Sequence, residues 1–163
     1  MNAFKTIIAA SFLGASAFAL AAHSAFAAEL PKSGSTKATG YQTFVFADAL
    51  DGWDTAFQPD IFVMTAVIRN EKEGGPFDKN TMRCVGQEAI IAGAYKNSRT
   101  CTETDTDGDK MFIAFGSGTF TYLSGTGKYK GITGGGTIRS EIVFQGPKSR
   151  ATISSYEKHW EIK

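Results

Sequence analysis

Arg99-Thr-Cys-Thr-Glu-Thr-Asp105, then Thr106-Asp107-Gly108-Asp109, then Lys110-Met-Phe-Ile-Ala-Phe115: this stretch decides the fold. Two runs of strand length enclose an Asp-Gly pair, the strongest short-range signal for a β-hairpin. Working outward towards the C-terminus, residues 119–124 read as the next strand, followed by a glycine-rich connection from Gly125 to Gly136. Residues 137–144 alternate, with Ile138, Ile142 and Phe144 on one side and Arg139 and Glu141 on the other. Gln145-Gly146-Pro147 turns the chain, and residues 151–162 close it. Towards the N-terminus, residues 82–92 form a strand that ends in a turn around Gly93 and Asn97-Ser98. Gly74-Gly75-Pro76 breaks the chain before it, since neither helix nor central strand tolerates such a run. Residues 61–69 (IFVMTAVIR) are apolar on both faces and read as the most buried strand. Residues 48–59 form a connection in which Trp53 and Phe57 cap the core, and residues 41–46 are the first strand. About eight strands and no amphipathic helix predict an all-β fold, a sandwich or a small antiparallel barrel. Eight is the number at which a sheet closes around side chains or one small ligand.

The ends bound the compartment. Among residues 1–27 the only charge is Lys5, an apolar run follows from Ile7 to Ala22, and Ala25-Phe26-Ala27 supplies small residues at an exit site. That is the pattern of a cleaved secretory signal, and the apolar run is short for a membrane span, which needs about 20 residues. Removing 27 of the 163 residues leaves 136, enough for one domain with a real core. Polar residues 28–40 read as a flexible leader and residues 41–163 as the barrel. The protein is expected in the periplasm or secreted, with no stable membrane insertion. Without Lys5, the 17 Lys and Arg become 16, against 16 Asp and Glu. No basic excess or basic cluster remains, so nucleic acid is not an expected partner. The two cysteines, Cys84 and Cys101, are even in number in an exported chain, which argues for a disulfide rather than a metal site.

Three motifs invite chemistry. Asp105, Asp107 and Asp109 alternate as calcium ligands do, but Lys110 and Gly116 stand where an EF-hand has glycine and glutamate. A hairpin turn whose aspartates bond their own backbone is the plainer reading, and no metal is expected. The stretch 125–136 fails as a phosphate loop, because Tyr129 follows Gly127-Lys128 and Tyr122 stands where the first glycine would be. It reads as a connection rich in positive-φ positions, pinned by Tyr129 and Ile132. With His23 removed, His159 is the last histidine, so a histidine-based metal centre is excluded. Ser155, Glu157 and His159 share one face of the last strand, read as solvated, and Tyr156, Lys158 and Trp160 share the other.

The order RCVG (83–86), CTETDTDGDKMF (101–112) and GTFTYLSGTGKYKGITGGGT (118–137) resembles the bacterial allene oxide cyclase barrel-like proteins, related in fold to plant allene oxide cyclases and dirigent proteins. The resemblance implies an eight-stranded antiparallel barrel with a central cavity. It carries over no catalytic residue, and fold alone does not give function. Within the strand 82–92, Cys84, Gly86, Glu88 and Ile90 share a face. If that face points inward, Glu88 is an interior carboxylate of the kind a cyclase or isomerase uses as acid or base. Glutamate more often faces water. The expected function is binding of a small, largely apolar molecule, with Trp53, Phe62, Tyr156 and Trp160 as candidate lining and no cofactor. The alternatives are a cyclase, isomerase or dirigent-like enzyme acting through Glu88, and a structural or interaction module acting as a homo-oligomer.

Overall fold

The computed structural model describes residues 30–47 and 57–163. Eight strands follow one another: β1 (Ser33–Phe46), β2 (Phe57–Asn70), β3 (Asn80–Ile91), β4 (Ala94–Thr104), β5 (Lys110–Gly116), β6 (Thr119–Gly125), β7 (Ile132–Gln145) and β8 (Ser149–Ile162). Each pairs antiparallel with its neighbour in sequence, and β8 pairs back onto β1, so the sheet closes into a barrel without edges. The one helical element among the described residues is a 3-10 turn, Gly127–Tyr129.

Strict alternation drives this closure. In β8 the side chains of Thr152, Ser154, Tyr156, Lys158 and Trp160 are buried, and those between them are exposed. Met64, Ile68, Met82, Met111 and Ile113 fill the middle of the barrel from three other strands. Cys84 and Cys101 stand directly opposite each other on β3 and β4 and are joined by a disulfide. The bridge is buried, so the faces of β3 and β4 that carry it point inward.

Four expectations are corrected. Residues 33–40 are not a leader but the first half of β1, paired along β8. Their polarity hid a strand whose inward positions must be small. A β-carbon at Gly34 would stand 2.7 Å from the Trp160 ring, and one at Gly40 2.7 Å from the Tyr156 ring. Asn97-Ser98 is not a turn but lies inside β4, since the tight turn is made at Ala92 and Gly93 alone, both at positive φ. The glycine-rich connection ends at Gly131, and Gly134, Gly135 and Gly136 belong to β7. Residues 61–69 bury only one face, with Phe62, Met64, Ala66 and Ile68 inside and Ile61, Val63 and Val67 outside.

The barrel's two ends differ. The β3–β4, β5–β6 and β7–β8 turns lie at one end, called upper here. At the lower end, residues 71–79 carry Phe77 into the barrel, where its ring stacks on Tyr129 and Tyr122 and meets Trp160 edge-on. The Asn70 amide holds this loop through the Pro76 carbonyl and Thr36, and Asp78 accepts from the backbone N–H groups of Asn70 and Gly74. Beneath the plug, Lys158 forms an ion pair with Glu103 at 2.7 Å, and Asn80 donates to the same carboxylate. Both charges are essentially without solvent contact, at 1% and 0% exposure.

Candidate functional site

Among the described residues, the upper end is open. The end of β3 brings in Glu88, the start of β4 brings Tyr95, Asn97 and Arg99, and the start of β8 brings Arg150 and Thr152. They surround a cavity of about 470 Å³ that the apolar Phe44 and Ile142 also line. A second recess of about 490 Å³ adjoins it, lined by Phe115 and Ile138, and shares Tyr95, Asn97, Arg99 and Ser140 with the first. Gly86 makes this crowding possible, since a β-carbon there would stand 2.5 Å from that of Arg99 and 2.8 Å from the Phe62 ring.

A polar network crosses the mouth. Arg150 grips both oxygens of Glu88, at 2.6 and 2.9 Å, from a strand three places away around the barrel. The Arg150 guanidinium also lies over the rings of Phe46 and Phe44, at 4.8 and 5.8 Å. The Tyr95 hydroxyl donates to Glu88 Oε2 at 2.7 Å, and Asn97 donates to the Tyr95 oxygen at 3.3 Å. Burial pushes the Tyr95 phenol above its ordinary value; Asn97 opposes this and the Glu88 carboxylate adds to it. One layer deeper, Gln42 donates to Tyr156 Oη and accepts from Thr152.

Arg99 stands apart. It is 8% exposed, and its guanidinium lies 4.5 Å from the centre of the Phe115 ring. Burial lowers its pKa from the ordinary arginine value, and the Tyr156 and Tyr95 phenols and the Glu88 carboxylate oppose that drop. It remains a cation, as arginine does in proteins. Its Nε and Nη2 are buried without a hydrogen-bond partner.

Glu88 thus points into the barrel, as the inward alternative had it, with Arg150 as its counterion. Phe62, Tyr156 and Trp160 do not line the mouth cavity. They fill the barrel, which at eight strands is narrow enough for side chains to pack it. Phe62 packs edge-on against Phe44 and Phe46, and the Trp160 indole donates to the Pro31 carbonyl at the lower end. Trp53 lies outside the described residues. His159 and Glu157 are on the exposed face of β8. The aspartate turn sits at the lower end, away from the mouth. Asp105 Oδ1 accepts from the backbone N–H groups of Asp107 and Asp109, and Lys128 Nζ lies 2.8 Å from Asp105 and 2.6 Å from Asp107. Asp109 accepts from the Lys128 backbone N–H. An ammonium group therefore occupies the place where a bound cation would sit.

The sequence reading passed over Arg99, Glu103, Tyr95 and Arg150. Two of them carried a signal. If Cys84 and Cys101 bridge inside the barrel, period two puts Arg99 and Glu103 on the same inward face. Arg150 and Tyr95 lie at strand starts, where alternation had too few residues to read.

The fold defines a class, the closed eight-stranded antiparallel β-barrels. Among solved structures, the chain is similar to the pterocarpan synthase dirigent protein GePTS1, with 12% identity and a TM-score of 0.50 over 81% of this chain and 87% of that one. No family model and no curated protein sequence matches the chain.

Proposed function

We propose that the protein holds one small molecule, with an apolar body and a polar end, in the upper mouth of its barrel. The carrying observation is the cavity of about 470 Å³, lined by the apolar Phe44 and Ile142 together with the polar Glu88, Arg150 and Tyr95. That size and mixture suit a small-molecule site. The expectation of a largely apolar ligand is refined by this polar lining. The fold likeness to a dirigent protein supports a small-molecule role. We further place the chain with the bacterial allene oxide cyclase barrel-like proteins, exported after cleavage at Ala27. The Cys84–Cys101 bridge is compatible with an oxidising compartment. No helix among the described residues is long and apolar enough to cross a membrane.

Mass spectrometry of the protein recovered from its native compartment tests the binding reading. The native mass should exceed the denatured mass by one small molecule. An empty protein that also leaves the neutral dye Nile red dark would overturn it.

A second reading, an enzyme working by proton transfer, is favoured by the hydrogen bond from Tyr95 to Glu88 at the cavity edge. With both oxygens of Glu88 engaged, proton exchange with a substrate would run through the Tyr95 hydroxyl. Glu88→Gln separates the two. A binding protein keeps its ligand, whereas an enzyme keeps the ligand and loses turnover.

A further inference from the structure

We infer that the ligand of the mouth carries a carboxylate, and that Arg99 is its anchor. This rests on the binding reading above and names the ligand's chemical class. Arg99 is a cation in the shared wall of two recesses, with two guanidinium nitrogens, Nε and Nη2, whose N–H groups no protein atom accepts. Leaving such donors buried without acceptors costs about 1–3 kcal/mol, more for a charged group. Proteins retain that arrangement where something else supplies the acceptors.

The two unpartnered atoms matter individually. Nε–H and an N–H of Nη2 point from one edge of the guanidinium, at the spacing that grips both oxygens of a carboxylate. In this structure that edge is shut off from solvent. Arg99 lines both recesses, and a rotation about its terminal side-chain bonds would bring this edge to an incoming anion. The exchange gives up some contact with Phe115 for a charge-assisted pair of hydrogen bonds.

The other charges of the cavity fit a monoanion. Arg150 is not the receptor, because Glu88 already occupies it. Asp60, the remaining carboxylate in the wall, stands opposite Glu88 in the β2–β3 register, whereas Arg99 stands opposite Gly86, two residues deeper. The mouth therefore has an acidic side and one unsatisfied cation below it. Two carboxylates nearby disfavour a dianion such as a phosphate monoester. The apolar wall of Phe44, Ile142, Phe115 and Ile138 leaves room for a hydrocarbon or aromatic body beyond the carboxylate.

The test uses a matched pair of probes, 2-naphthoate and its neutral counterpart 2-naphthylmethanol, titrated into the full-length protein by calorimetry. Naphthoate should bind at least about tenfold more tightly than the alcohol, the difference a charge-assisted pair supplies. Arg99→Met should erase that preference, so that the two probes bind alike. Arg99→Lys, which keeps the charge and loses the fork, should fall between. Equal binding of the two probes to the unaltered protein would overturn the anchor without any variant having to fold. So would naphthoate binding to a folded Arg99→Met protein as it does to the original. Refusal of naphthoate while Nile red still binds removes the anchor and leaves the binding reading standing. Refusal of all three removes both.

Discussion

At the scale of single residues, the two ends of the barrel use charge in opposite ways. At the lower end Glu103 and Lys158 neutralise each other, and Asn80 supplies a further hydrogen bond to the carboxylate. Removing one partner strands the other in the interior, which costs about 3–5 kcal/mol. Glu103→Gln should therefore lower unfolding stability in urea by about that amount. The double variant Glu103→Leu with Lys158→Met should recover most of the loss, because an apolar pair of similar volume needs no counterion. At the upper end Arg99 has no such completion. The difference separates a charge that serves the fold from one available to a ligand. It was legible in part. Glu103 lies two residues from Cys101, and Lys158 lies between Tyr156 and Trp160, so alternation pointed both inward. That they meet required knowing that the ends of β4 and β8 reach the same layer, which period-two patterning cannot give.

At the scale of elements, the turn between β4 and β5 is held by charge. Burial alone would raise the Asp105 carboxyl, but the hydrogen bond and charge of Lys128, with the N–H groups of Asp107 and Asp109, hold it below the ordinary aspartate value. A carboxyl lowered in the folded state stabilises fully above the unfolded pKa of about 4 and loses that contribution as pH falls towards the folded value. Thermal denaturation followed from pH 5 down to pH 2 should therefore show a steepening loss of stability. Asp105→Asn should be less stable at pH 5 and flatter in the acid range. The Asp-Gly signal gave this hairpin from the sequence alone, and all eight strands were legible from alternation and turn residues. What stayed hidden was strand length. β1 and β7 extend through Gly34, Gly40 and Gly134–Gly136, and glycine there reads as a connection although a neighbouring ring or backbone occupies the space of its β-carbon.

At the scale of the whole molecule, the barrel has a plugged end, an open end and an apolar outer side. On that side Tyr41 pairs with Val67 and Ile153 across the neighbouring strands, and Val63 pairs with Val45 and Val85. All six side chains are exposed. Contiguous exposed apolar surface of this kind marks contact sites. Residues 61–69 are apolar on both faces and read as fully buried, because a run without alternation does not distinguish a core face from an exposed apolar one. The central claim concerns the other two features, that the upper mouth receives a ligand and the plugged end does not. Amide chemical shifts during a 2-naphthoate titration test it most directly. The account predicts shifts at Glu88, Tyr95, Asn97, Arg99, Ser140 and Thr152, with Glu103, Tyr129 and Trp160 unmoved. Bound 2-naphthoate whose shifts centre on Phe77, Tyr129 and Trp160, with the mouth residues unmoved, would contradict it.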